Sequence, residues 1–292
     1  ITIACAGAYW LAGMNVFDSI CHAFSTVAIG GFSNHDASLG YFNSPMVNVV
    51  CTVFLLIAAL NFSLHYAAVS SRSVKGYFKD PEFKAFFIIQ ASLIGICFLV
   101  LTLSGYYTSA EQALDQAMIQ AVSISTTAGF ATTDFSIWPT FLPIMLIFSS
   151  FIGGCASSTG GGLKVVRVCL LFLQGKREVD RLIHPKAVYS VKFGDRAMPD
   201  RVVEAVWGFF SAYAVVFVVL MIGLIATGLD NLSAFTATAA MLNNLGPGLG
   251  SVAANYADVT DAGKWILVTG MVFGRLEVFS LLVLFSPTFW RS

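Results

Sequence analysis

The chain has 292 residues, of which 57% are hydrophobic and 11% are charged. A typical soluble domain is about 45–50% apolar and about 25% charged, so this chain cannot bury its apolar surface in one aqueous core and belongs in a lipid bilayer. Its formal net charge of zero gives no indication of a nucleic-acid partner.

Five apolar segments, taken in chain order, are each long enough to cross a hydrocarbon layer of about 30 Å, which needs about 20 helical residues. They cover Pro45–Ser71, Ala85–Ser104, Trp138–Leu173, Val202–Thr227 and Ala262–Phe285. Residues 1–12 are typical of the end of a sixth such helix. Because Ile1 lies inside an apolar run and is not an initiator methionine, we expect the chain to begin partway through a larger protein.

Three shorter segments between these spans have helical periodicity but are too short to cross the bilayer. They cover Asp18–Phe24, Ser109–Ser123 and Asn231–Leu242. Ser109 and Gln112 form a capping-box pattern at the start of the second segment. Each segment runs directly into a polar stretch that contains glycine, namely Ser25–Ser33, Ser125–Ala131 and Asn243–Gly250.

These features make the chain a repeat protein with a period near one hundred residues. The unit is a span, a short helix, a glycine stretch and a second span, and the copies superpose on Gly31, Gly129 and Gly246. We expect a second pore repeat over residues 1–72 with an incomplete first span. A third repeat, with a broken inner helix and a cytoplasmic linker, covers 73–201, and a fourth covers 202–292. The predicted fold is an all-α membrane protein with its units arranged pseudo-fourfold around a pore.

Basic and acidic residues lie in different connections between the apolar segments. Of the sixteen Lys and Arg residues, all but Lys264, Arg275 and Arg291 lie within residues 72–84 and 164–201. Under the positive-inside rule these two basic stretches face the cytoplasm. The connections on the other side carry acidic residues, namely Asp18, Asp36, Glu111, Asp115, Asp134, Asp230, Asp258 and Asp261.

The three glycine stretches predict an ion filter. Irregular backbone at membrane depth is tolerated only where protein or water satisfies its polar groups, and glycine permits conformations that turn successive carbonyls toward one axis. A ring of such carbonyls can replace the hydration shell of a potassium ion. The alternative is that the glycine turns only join re-entrant helices. The candidate filter residues, with potassium held by their backbone carbonyls, are Ala28, Ile29, Gly30, Gly31, Thr127, Ala128, Gly129, Asn244, Leu245 and Gly246.

Four motifs give the chain a family resemblance. They are Gly-Gly-Phe-Ser at Gly30–Ser33, Thr-Thr-Ala-Gly-Phe at Thr126–Phe130, Asn-Asn-Leu-Gly-Pro-Gly at Asn243–Gly248 and Gly-Arg-Leu-Glu at Gly274–Glu277. Over essentially its whole length the chain resembles the Trk, Ktr and HKT potassium transporter superfamily, and within it the bacterial TrkH branch. Members fold four repeats around one pore, so the resemblance implies that the first repeat is absent from this chain.

The resemblance also implies partners and a location. It implies uptake of potassium, and of rubidium as a possible second substrate, by a multi-pass homodimer among the lipids of the bacterial inner membrane. It further implies a cytosolic nucleotide-binding regulatory subunit of TrkA type. We expect no cofactor in this chain, because no nucleotide motif is visible in it.

The segment Trp138–Leu173 must be interrupted, because 36 residues in one straight helix would be about 54 Å long. The obvious place is Gly153–Gly162, which is rich in glycine and hydroxyl residues. A phosphate-binding loop is rejected because Lys164 follows Leu163 and precedes Val165. An inert linker is a second interpretation. The resemblance favours a third, an intramembrane loop below the filter, with gate residues Gly153, Gly154, Ser157, Ser158, Thr159, Gly160, Gly161, Gly162 and Arg275.

Arg275 is the second gate candidate. It lies in the last apolar segment, where an uncompensated cation costs at least about 2.5–3.5 kcal/mol, so it should face the bundle interior or water. An ion pair with Glu277 is the alternative, although residues two apart point to nearly opposite sides of a helix. By resemblance, Arg275 projects into the pore and forms an electrostatic barrier to potassium.

Two other functions are alternatives to a channel-like pore. A proton- or sodium-coupled potassium symporter would keep the fold and expose a midplane site alternately, and Glu277 is the only obvious intramembrane carboxylate for proton coupling. An intramembrane serine protease would use Ser157 or Ser158, yet no histidine is convincingly placed beside them. The sequence therefore predicts a transporter and not an enzyme.

Overall fold

The structure is a computed structural model that describes residues 1–187, 189–276, 278–284 and 286–290. In these ranges the regular secondary structure is helical apart from one two-stranded hairpin, which confirms the predicted all-helical class. The helices of the first half are α1 (Thr2–Leu11), α2 (Val16–Val27), α3 (Pro45–Ala58), α4 (Phe62–Ser71), α5 (Lys75–Lys79), α6 (Pro81–Leu103) and α7 (Ala110–Ser125). The second half contains α8 (Leu142–Ser150), α9 (Val165–Ile183), β1 (Lys192–Phe193), β2 (Arg196–Ala197), α10 (Asp200–Ala226), α11 (Asn231–Leu242), α12 (Asp261–Arg275) and α13 (Val278–Leu284).

Two helices, α6 and α10, are long and apolar enough to cross a membrane unbroken, and they match two of the predicted spans. The predicted span Pro45–Ser71 is wrong as a single helix, because α3 and α4 meet at a bend of 89°. At the bend the carbonyl of Ala59 accepts a hydrogen bond from the Cys155 amide at 2.8 Å, while Asn61 caps α4 by accepting from the Ser63 amide at 2.9 Å. The bend is therefore fixed by contacts with a distant part of the chain.

The other two predicted spans are also broken. As expected, the glycine stretch interrupts Trp138–Leu173, since α8 ends at Ser150 and α9 begins at Val165. In the predicted span Ala262–Phe285, α12 ends at Arg275 and α13 begins at Val278, and Glu277 between them lies outside the described residues. Arg275 thus lies at a helix end and not in the middle of a span. Phe285 lies outside the described residues.

The three short helices form as predicted. Helix α2 is longer than predicted at both ends, α7 begins one residue later and ends two residues later, and α11 has the predicted limits. Each is capped at its N-terminus by a side chain that accepts from a backbone amide: Asn15 for α2, Ser109 for α7 and Asp230 for α11. Only half of the predicted capping box forms, because the Gln112 side chain accepts instead from the Thr108 hydroxyl at 3.3 Å. Such caps satisfy amides that a helix start leaves without partners.

Each short helix packs between neighbouring spans. Helix α2 contacts α1 and α3, α7 contacts α6 and α8, and α11 contacts α10 and α12. The units join where α7 packs on α3 and where α11 packs on α8. This arrangement brings the C-terminal ends of the three short helices together. The limits of the three repeats stay a prediction.

The two basic stretches lie at one end of the bundle. The β1–β2 hairpin turns at Gly194, where φ is +62°. A Cβ at Gly194 would lie 3.0 Å from the ring of Pro81, the first residue of α6. The hairpin belongs to the second basic stretch and Pro81 to the first, so the packing places both stretches on the same side.

Candidate functional site

The three predicted filter loops share an unusual backbone. In each loop two residues that are separated by one other have positive φ angles: Ile29 and Gly31 (52° and 68°), Thr127 and Gly129 (69° and 84°), and Asn244 and Gly246 (58° and 98°). A positive φ is uncommon for a residue with a side chain, and such strain persists only where the surrounding structure imposes it. Three loops far apart in sequence therefore adopt one conformation.

The loops also lie against each other in order. A Cβ on Gly31 would overlap the carbonyl oxygen of Ala128 in the second loop, and one on Gly129 would overlap that of Leu245 in the third. A Cβ on Gly246 would meet no atom within 4 Å. The three loops that contain the ten predicted filter residues thus lie side by side, the first against the second and the second against the third. Among the described residues, the third loop has no such neighbour at Gly246.

The carbonyl oxygens of these loops have few hydrogen-bond partners. Within the described ranges, the one filter carbonyl that accepts a hydrogen bond is that of Gly246, to which the Tyr256 hydroxyl donates at 2.7 Å. The carbonyls of the other nine predicted filter residues receive no donor from the described chain. Because a backbone carbonyl away from water needs a partner, these oxygens suit a bound cation.

The first filter loop is tied to its own short helix by Asp18. Its carboxylate accepts hydrogen bonds from His35 Nε2 at 3.1 Å, from the Asn34 amide and from Asn15 Nδ2 at 2.8 Å. Burial raises the pKa of the Asp18 carboxyl, but the hydrogen bonds from Asn34 and His35 outweigh it and lower the pKa below its ordinary value. The carboxylate is therefore held ionised where the loop leaves the filter.

The predicted gate segment lies directly against the ends of all three short helices. The Thr159 hydroxyl donates to the carbonyl of Val27 at 3.0 Å. A Cβ on Gly160 would lie 2.9 Å from the carbonyl oxygen of Thr126, and one on Gly161 would overlap that of Asn243. The gate glycines therefore allow the backbone to approach helix ends that carry partial negative charge.

Side chains on both sides hold this segment in place. The Gly161 amide donates to the Thr127 hydroxyl at 2.7 Å, which links the segment to the second filter loop. The Lys164 ammonium donates to the carbonyls of Ser158, at 3.3 Å, and of Gly160. Lys164 thus links the end of the segment to two of its earlier carbonyls.

The remaining predicted gate residues shape the turns of this segment. Gly153 and Gly162 have φ angles of +70° and +72° and lie against each other. Ser157 has a φ of +55°, and its carbonyl accepts from the Phe62 amide at 3.3 Å. The Ser158 hydroxyl donates to the Cys155 carbonyl at 2.6 Å, and Gly154 lies beside Ala59. These contacts join the segment to the bend between α3 and α4.

Arg275 lies between two cavities. One has a volume of about 800 Å³ and is lined by filter residues, and the other, of about 450 Å³, lies on the opposite side of the gate segment. Within the described parts of the chain, their linings share Gly161 and Arg275 alone. The guanidinium donates to the carbonyl of Thr159 at 3.1 Å. The alternative pairing with Glu277 concerns a residue outside the described ranges.

Glu82, which is buried at the start of α6, contacts the gate segment although the sequence does not predict it. Its Oε1 accepts hydrogen bonds from the amides of Ala156 and Val166, at 2.7 and 3.2 Å, and so links α6 to the gate segment and to the start of α9. In the sequence, an acidic residue after Asp80 and Pro81 is typical of the first turn of any helix. No pattern in the chain singles Glu82 out.

Known proteins that are similar to this chain show its family. The family model of TrkH, described as a cation transport protein, matches residues 1–292. The chain belongs to the TrkH family. The potassium uptake protein TrkH of Vibrio parahaemolyticus is 64% identical over 294 residues, and that of Escherichia coli K12 is 58% identical over 292. Both alignments cover the entire chain, which spans 61% and 60% of these relatives' lengths.

The fold is that of the TrkH family as well. The crystal structure of the potassium transporter TrkH from Vibrio parahaemolyticus superposes with a TM-score of 0.95, covering 99% of this chain and 62% of that one. The TrkH relatives are named as potassium uptake proteins and not as enzymes, in agreement with the prediction. Family membership and the apolar helices make this a multi-pass membrane protein.

Proposed function

We propose that the protein takes up potassium, and also rubidium, through a channel-like pore whose filter is built from the ten residues named above. The observation that carries this proposal is the set of nine filter carbonyls that have no donor among the described residues. Oxygens of this kind can replace the water around a monovalent cation. The names of the TrkH relatives support potassium as that cation.

In this proposal the gate segment and Arg275 close the pore below the filter. An ion leaving the filter cavity must pass Gly161 and Arg275, which line both cavities. The guanidinium repels a cation that passes at this point. Movement of the gate segment would open the path.

The proposal is a channel-like pore, and coupled symport is the alternative. Neither cavity is lined by a carboxylate from the described part of the chain, and Glu277, the candidate for proton coupling, lies outside that part. Potassium currents that reverse at the potassium equilibrium potential would support the channel, and a reversal potential that shifts with the proton gradient would support symport.

The family resemblance supports the remaining proposals. The protein would act as a homodimer in the bacterial inner membrane. A nucleotide-binding ring of TrkA type would dock on its basic end and open the gate segment. The protein itself would use no cofactor.

The test is potassium flux into proteoliposomes that contain the natural full-length protein. Replacing Arg275→Ala removes the proposed barrier, so basal flux should rise several-fold, as expected when a positive charge is taken from a narrow path. Lys264→Ala removes a cation from the exposed start of α12 and serves as the control, which should leave flux unchanged. Unchanged flux in Arg275→Ala would refute the barrier.

A further inference from the structure

Each short helix is joined to the span that precedes it by a buried side-chain hydrogen bond near its C-terminal end. In the first unit, the hydroxyls of Tyr9 in α1 and Thr26 in α2 lie 2.7 Å apart. Both side chains are completely buried. Thr26 lies three residues before Ile29, the first strained residue of the filter loop.

The second unit makes an equivalent connection with different residues. The Ser125 hydroxyl, at the last residue of α7, donates to Oε1 of Gln90 in α6 at 2.8 Å. Both residues are buried, with 1% and 2% of their surfaces exposed. Gln90 is a polar residue in the middle of an apolar span that is long enough to cross the membrane.

The third unit repeats the arrangement and extends it. The Tyr213 hydroxyl in α10 donates to Oδ1 of Asn243 at 2.6 Å, where Asn243 is the C-cap of α11. Nδ2 of Asn243 donates in turn to the hydroxyl of Ser150 in α8 at 2.9 Å. The end of α11 is therefore held from two sides.

The pairs share a location near the C-terminal end of each short helix and not a residue type, since Thr26, Ser125 and Asn243 lie five, four and three residues before the filter glycines. A polar side chain inside a membrane bundle must find a partner within the protein, and it then restricts how the two helices can slide or rotate. An apolar pair would pack equally well without fixing the register of the helices. In each unit the bond lies within five residues of the filter glycine.

We propose that Tyr9–Thr26, Gln90–Ser125 and Tyr213–Asn243 are three filter tethers, whose positioning residues fix the depth and rotation of each short helix and thereby set the cation selectivity of the filter. The proposal rests on the proposed function, since a tether sets selectivity only where the loops coordinate the ion. A displacement of a few tenths of an ångström changes the fit of a carbonyl ring to potassium relative to sodium.

The test is the potassium-to-sodium permeability ratio of the natural full-length protein in planar bilayers or proteoliposomes. Tyr9→Phe removes one hydroxyl, and Thr26→Val removes its partner at constant volume. Neither residue lines either cavity, so neither change alters the ion path directly. Each variant should lower the ratio by up to about fivefold, the factor that corresponds to one buried hydrogen bond.

Two matched variants separate positioning from stability. Thr26→Ser keeps the hydroxyl and should retain the wild-type ratio, whereas Tyr66→Phe removes an exposed hydroxyl and should change nothing. If Tyr9→Phe and Thr26→Val yield less folded protein but the protein that folds keeps the wild-type ratio, the pairs only stabilise the protein. That result would refute the tether proposal and would leave the proposed pore untouched. A wild-type protein that conducts no potassium would overturn the proposed function itself.

Discussion

Gly31 and Gly129 have no room for a side chain, and this makes them the sharpest single-residue test of the filter. An added methyl group would overlap the carbonyl of the next loop and would also be strained at a positive φ. Gly31→Ala and Gly129→Ala should therefore displace the neighbouring loop and reduce potassium uptake by at least about tenfold, as expected from strain of about 1–2 kcal/mol plus the overlap. Uptake by potassium-starved cells measures the effect.

The control for this prediction is Gly95→Ala in the exposed face of α6, where an added Cβ meets nothing within 4 Å. Alanine has the higher helix propensity, so this variant should fold and transport like the wild type. Normal uptake by both filter variants would mean that the loops do not form the ion path.

Asp230 provides a prediction about pH. Hydrogen bonds from the Ser233 hydroxyl and amide lower the pKa of the Asp230 carboxyl below its ordinary value. Since the native pKa is depressed, the ionised cap contributes stability above pH ~3.9 and loses it as the pH falls through the lowered native value. Asp230→Ala should cost about 1 kcal/mol near neutral pH. Thermal unfolding of detergent-solubilised protein should show the difference shrinking below pH ~3.9.

The matched variant for Asp230 is Asn, which caps a helix almost as well but does not titrate. Asp230→Asn should lie close to the wild type at neutral pH and should show none of its pH dependence at this site. A gap between Asp230→Ala and the wild type that stays constant down to pH ~3 would contradict the assignment.

At the level of the structural elements, Glu82 in α6 holds the gate segment in position through hydrogen bonds. One carboxylate oxygen accepts from two half-buried amides, so Glu82→Leu removes both hydrogen bonds at a cost of about 1 kcal/mol each. We expect this variant to loosen the segment, lower the thermal stability of the protein and raise basal potassium flux. Flux into proteoliposomes and unfolding temperature together measure it.

Glu82→Gln is the informative companion, because its amide oxygen can still accept both hydrogen bonds. It should keep most of the closed-state behaviour even though it lacks the charge. If Glu82→Gln and Glu82→Leu leak equally, the charge beside Lys164, and not the hydrogen bonds, holds the segment.

The elements that the sequence predicts well are those with local signals. The three short helices carry N-terminal caps and end in glycine stretches, and the interruption between α8 and α9 is marked by five glycines between Gly153 and Gly162. The bend after α3 has no such signal, because Ala59–Asn61 contains no glycine or proline. That bend depends on the Cys155 amide, which lies far along the chain.

The same distinction applies to the candidate site. Spacing of the glycines predicts which loops meet, because each copy of the repeat places its glycine equivalently. It does not predict Glu82 or the Tyr9–Thr26 pair, since a buried polar contact between distant helices leaves no periodic pattern. Likewise the apolar character of Ala262–Phe285 does not predict that α12 ends at Arg275.

For the protein as a whole, the charge distribution predicts which side of the membrane each end faces. The basic hairpin packs on the start of α6, so both basic stretches share one end of the bundle. The positive-inside rule predicts that this end is cytoplasmic. Lys186 and Asp258 are exposed residues of the basic and the acidic connections, respectively, and each suits a cysteine probe.

The measurement uses right-side-out vesicles and a membrane-impermeant thiol reagent. The half-buried Cys21 and Cys169 are first replaced by serine, since the other native cysteines are buried. Asp258→Cys should then react at once, and Lys186→Cys only after the vesicles are permeabilised. The reverse pattern would place the gate segment on the outer side of the filter. An arginine barrier at Arg275 would then guard the entrance of the pore, and docking of a cytosolic ring on the basic end would be impossible.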